Sequence, residues 1–110
     1  MSNYRHWYVE IVSIVGPDVV KQIGSNLDTI TGFHEWELVG RYKTSQLYYL
    51  PYAKWYSYQE NMRKLSALYP EVLFEVSNDD DDWKLYVKNG KIKEVEAIKT
   101  FPEYNESELS

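Results

Sequence analysis

Along the chain the apolar positions change rhythm, from alternation to three-to-four-residue spacing and back, and each change marks an element. His6 to Val15 is rich in β-branched and aromatic residues with apolar groups on both alternating faces, which predicts a strand covered on both sides. Gly16-Pro17-Asp18 stops it, with Pro17 suited to the first helical position. Val19, Val20, Ile23, Leu27 and Ile30 then recur at helical spacing, and Thr31-Gly32 closes that helix. Gly24 within it costs about 1 kcal/mol relative to Ala and leaves room for close approach to a sheet.

Alternation resumes from Phe33 to Tyr42, with His34, Trp36 and Leu38 on one side and Glu35 and Glu37 on the other. Lys43-Thr44-Ser45 reads as a turn and Gln46 to Leu50 as a short strand, ended by Pro51 because proline cannot donate to a sheet ladder. After an aromatic connection, Ser57 and Glu60 have the spacing of a capping box. They predict a helix with Tyr58, Met62, Leu65 and Leu68 or Tyr69 on its apolar face, terminated at Pro70. Val72, Phe74 and Val76 alternate as the next strand, and Trp83 to Val87 as another. Asn89-Gly90 is a strong type I′ hairpin signal, and Ile92 to Ile98 is the return strand.

Helices near 17–30 and 57–69 between alternating segments give an α+β fold in the order β-α-β-β-α-β. That is the ferredoxin-like plan, an antiparallel sheet with the helices on one face, here with an additional C-terminal β-hairpin arm. Residues 1–102 are expected to form a single domain and 103–110 a frayed acidic tail.

Composition sharpens this picture at three points. The aromatic share is 16%, with eleven Tyr and four Trp, side chains that serve a thin core and a binding surface equally well. Cysteine is absent, which excludes disulfides, thiolate zinc sites and a cysteine nucleophile. Residues 1–70 carry a net charge of +1 and residues 71–110 a net charge of −6. That balance repels a nucleic-acid backbone and attracts a basic protein partner. With neither a secretory signal nor a membrane-length apolar run, a cytoplasmic location is expected and no membrane partner.

A resemblance runs through Trp55, Leu65-Ser66, Tyr69-Pro70, Phe74 and Gly90. Over residues 55–90 this pattern resembles the ferredoxin-like C-terminal domain of the YubB/Api92-like proteins of plasmids and phages. The resemblance implies the fold and a mobile-element setting, and it carries over no activity.

The candidate chemistry is sparse. Asp79, Asp80, Asp81 and Asp82 offer oxygen ligands, but counting from Asp79 the sixth and twelfth positions hold Lys84 and Gly90, not the Gly and Glu of a calcium loop. The run therefore reads first as a solvated loop, then as a contact for a basic partner, and last as a metal site. His6 and His34, with Glu10, Glu35 and Glu37, show no metal-ligand spacing and read as half-buried strand residues. The aromatic stretch containing Tyr48, Tyr49, Tyr52 and Trp55 lacks the RNA-binding signature and divides mainly between core and protein interface, with a nucleic acid or small ligand as the lesser reading. No phosphate loop, nucleophile elbow or zinc-protease motif is present, and Glu35, Glu37, Glu94 and Glu96 read as a wet strand face.

The expectation is a small acidic intracellular protein-binding module, not an enzyme, with no cofactor and no metal, using Tyr48, Tyr49, Tyr52, Trp55 and Asp79 to Asp82. Its sharpest version is a phage or mobile-element inhibitor that occupies a basic surface of a host or defence protein. The alternatives are a small-ligand-binding or enzymatic ferredoxin-like domain, and a self-associating structural protein that forms a homodimer through its open sheet face.

Overall fold

A computed structural model describes residues 4–42, 45–79 and 83–96. Eight elements follow in order: β1 (Arg5–Ile11), α1 (Pro17–Thr31), β2 (Glu37–Tyr42), β3 (Ser45–Ala53), α2 (Tyr58–Leu68), β4 (Phe74–Asn78), β5 (Trp83–Lys88) and β6 (Lys91–Glu96). The strands form one antiparallel sheet in the order β2-β3-β1-β4-β5-β6.

Both helices cover the same face. On β1, Trp7, Val9 and Ile11 are buried while His6, Tyr8 and Glu10 between them are half-buried. Trp7 meets Tyr58 of α2 at 5.4 Å between ring centroids. Tyr48, which pairs with Val9, reaches α1 and donates its hydroxyl to the Val20 carbonyl at 2.7 Å. Val20, Ile23 and Leu27 from α1 and Met62 and Leu65 from α2 join Leu50, Phe74, Val76, Leu85 and Val87 in one core. Gly24 leaves room for the Tyr48 ring beneath α1, because a Cβ there would lie 2.8 Å from Tyr48 Cζ.

α1 begins as its sequence predicts, with extended Gly16 followed by Pro17, and ends on left-handed Gly32 (φ 79°), whose N–H bonds the Asp28 carbonyl at 2.9 Å. α2 departs from expectation. Ser57 makes no side-chain cap, because at φ −95°, ψ 28° it lacks the extended backbone that aims Oγ at the first turn. Its carbonyl accepts from Asn61 N–H, and Asn61 Oδ1 accepts the Trp55 indole N–H at 2.8 Å.

Strand boundaries also differ, and Val72, expected in the fourth strand, is a buried connector residue ahead of β4. β1 stops at Ile11; Val12 N–H goes instead to Leu73 O, and Ser13 Oγ accepts Leu73 N–H. β2 begins only at Glu37, so His34 is an exposed connector residue and not a half-buried strand histidine. β3 runs through Pro51 to Ala53. Its pairing with β2 ends at Glu37↔Tyr49, and its register with β1 slips between Trp7↔Leu50 and Arg5↔Ala53. Pro51 therefore sits at an irregularity, where a missing N–H is tolerated, and Tyr52 beside it takes φ 44°.

At the other end of the sheet, Asn89 (φ 52°) and Gly90 (φ 75°) join β5 to β6 with the positive φ values of a type I′ turn. Gly90 N–H donates to the buried Ser66 hydroxyl at 2.8 Å, which ties this turn to α2. The expected strand residues Ala97 and Ile98, and the tail 103–110, lie outside the described residues.

Candidate functional site: the open aromatic face

The register decides which aromatic residues face away from the helices. Tyr48 and Trp55 do not. Tyr48 is 6% exposed, and burial, followed by the nearby Asp28 charge, pushes its hydroxyl above the ordinary tyrosine pKa. Trp55 is 3% exposed and packs edge-on against Trp7 and Trp36. Both support the fold.

Tyr49 faces the other way. It pairs with Tyr8 of β1, and the two rings stack at 5.3 Å with 26° between their planes. His6 lies over the other part of the same ring system, 5.8 Å from the Tyr49 centroid, with Nδ1 2.7 Å from the Tyr49 hydroxyl. Tyr52 is 5.4 Å from His6 and stacks on Tyr4 at 5.1 Å. It is 58% exposed and holds a backbone conformation that non-glycine residues seldom adopt, the kind of strain that concentrates at functional positions. Lys54 Nζ lies 4.8 Å from the Tyr4 centroid, a cation already seated on one ring of the group. Tyr4, just ahead of β1, with His6 and Tyr8 of β1 and Tyr49 and Tyr52 of β3, thus forms a continuous aromatic surface.

Carboxylates border it. Glu37 pairs directly with Tyr49, and Glu10 follows Tyr8 on the same face of β1. Asp79 is exposed, and its backbone N–H donates to the His6 carbonyl at 3.1 Å, which holds the start of the acidic run beside the rings. Tyr49 records this setting: partial desolvation, then the charges of Tyr8, Glu37 and Asp79, raise its pKa. The Tyr49 hydroxyl and His6 Nδ1, 2.7 Å apart, share a hydrogen bond within this setting. Asp80, Asp81 and Asp82 lie outside the described residues.

Of the eight residues singled out from sequence, the structure brings Tyr49, Tyr52 and Asp79 together and sends Tyr48 and Trp55 into the core. Sequence reasoning missed Tyr4 and Tyr8, and it read His6 as a half-buried strand residue, which it is, without its ring contacts to Tyr49 and Tyr52. Strand parity places Tyr4, His6 and Tyr8 on one face, but their meeting with Tyr49 depends on the β1–β3 register, which no local pattern encodes.

Among the described residues, no group of three or more His, Asp or Glu side chains is placed to hold a metal ion, and no helix is long and apolar enough to cross a membrane. No family model, no curated protein and no solved structure matches this chain.

Proposed function

We propose that the protein is a small protein-binding module that receives a basic segment of its partner on the open aromatic face. The observation that carries this reading is the contiguous set Tyr4, His6, Tyr8, Tyr49 and Tyr52 with Glu37, Glu10 and Asp79 at its margin. Ring faces attract cations, guanidinium groups most often, and adjacent carboxylates add charge-assisted hydrogen bonds. The same carboxylates oppose a phosphate backbone, which weighs against base stacking on these tyrosines although stacking alone would suit them.

The finer fold reading belongs to the same proposal. The run β2-β3-β1-β4 with two helices on one face is consistent with a ferredoxin-like plan, extended at the β4 side by β5 and β6. Together with the resemblance over residues 55–90, it supports a mobile-element protein of the cytoplasm that inhibits a host or defence protein by covering a basic surface.

The test uses a fluorescein-labelled octa-arginine peptide and fluorescence anisotropy at low and physiological salt. Binding should weaken with salt, and Tyr52→Ala and Tyr49→Ala should each reduce affinity by about tenfold, chiefly through faster dissociation. Asp79→Asn should mainly slow association. Equal binding by the wild type and both tyrosine variants would remove the aromatic face from the account.

A further inference from the structure

Towards β6 the open face changes sign. Leu73, Tyr86, Lys88, Lys91 and Lys93, with Ile92 at the rim, line a shallow groove of about 420 Å³. Lys88 pairs with Lys91 across the turn and Lys93 pairs with Tyr86, so three ammonium groups gather at one corner of a chain whose net charge is −5. Like charges directly opposite each other destabilise a ladder, so the fold gains nothing from this cluster. The ion pairs among the described residues, Lys84 with Glu75 and Lys64 with Glu60, include none of the three.

β6 is the last strand of the sheet among the described residues, paired with β5 on one side. Its open-face positions are Lys91, Lys93 and Val95, spaced by two, and a strand laid against it places every second side chain beside them. We infer that the β6 edge binds an extended acidic peptide as an added strand, with alternate carboxylates beside Lys91 and Lys93 and the intervening apolar side chains on the side of Ile92. Lysines on an edge strand repel most would-be partners. An alternating acidic strand is the one they attract. A second copy paired at Lys93↔Lys93 is disfavoured, because that register sets like charges directly opposite each other. A phosphodiester strand matches the charge but not the two-residue ladder, and Glu10 and Glu75 on the same face repel it. The inference does not depend on the function proposed for the aromatic rows.

The experiment is an anisotropy titration with a labelled peptide of four Glu-Val repeats at low salt. Binding is expected, and the double variant Lys91→Glu, Lys93→Glu should weaken it by about tenfold or more. Both side chains are exposed, so the variant should keep the wild-type circular dichroism. N-methylation of the peptide at alternate amides, which removes ladder donors and keeps every charge, should abolish binding. Unchanged affinity in the double variant or in the N-methylated peptide overturns the inference. So does equal binding by four Lys-Val repeats, tighter binding by an oligonucleotide of equal charge, or a dimer in light scattering that the peptide fails to dissociate.

Discussion

The distance between α1 and the sheet is set by a side chain that is missing. Gly24 has no Cβ, and the space is filled by Tyr48, whose hydroxyl reaches past the helix backbone to the Val20 carbonyl. Replacing Gly24 by Ala gains about 1 kcal/mol of helix propensity. It also drives a methyl group into the Tyr48 ring and breaks a buried hydrogen bond, which together cost about 1–3 kcal/mol. The second effect should win. Gly24→Ala is expected to lower stability in urea denaturation, and adding Tyr48→Phe should recover part of the loss by removing the colliding oxygen. A stabilised Gly24→Ala protein would mean that helix and sheet are not in contact there. Tyr49, the next residue, belongs to the opposite face and should be dispensable for folding, so the two adjacent tyrosines separate core from surface in a single pair of variants.

At the scale of the elements, the turn between β5 and β6 is held twice. Its backbone needs positive φ at Asn89 and Gly90, and its Gly90 N–H is held by Ser66 on α2. Gly90→Val should cost about 1 kcal/mol or more through φ alone. Ser66→Ala should cost about 1 kcal/mol by leaving that N–H without its acceptor. Melting temperatures check both, and an unchanged value for Gly90→Val would contradict the turn geometry. This turn was legible in sequence because Asn-Gly is a local signal, and both helices were legible because 3.6-residue periodicity is local as well. What stayed hidden depended on distant partners. Pro51 ends a strand only if its N–H is needed, and the slipped register opposite Trp7 removes that need. Ser57 with Glu60 has the composition of a capping box, but the backbone at Ser57 turns away from it. Tyr48 and Tyr49 are equivalent by composition, and only the pairing with Val9 and Tyr8 shows which one packs under the helices.

Across the whole molecule, one face of the sheet is spent on the core and the other is divided by charge. Rings and carboxylates occupy β1, β2 and β3, while Lys84, Lys88, Lys91 and Lys93 occupy β5 and β6. Lys84 is tied down by Glu75 at 3.1 Å, and that bond and charge raise its pKa. The central claim is that the aromatic part of this face is the binding surface for a basic segment. The most direct measurement is an NMR titration of isotope-labelled protein with octa-arginine peptide at low salt, following backbone amides and tyrosine ring signals. The account predicts that the largest shifts fall on Tyr8, Tyr49, Tyr52 and Asp79, with the buried residues Ile23, Leu27, Met62 and Leu65 unmoved. Shifts confined to the helices or to β5 and β6, or none on the tyrosine rings at saturation, would contradict it.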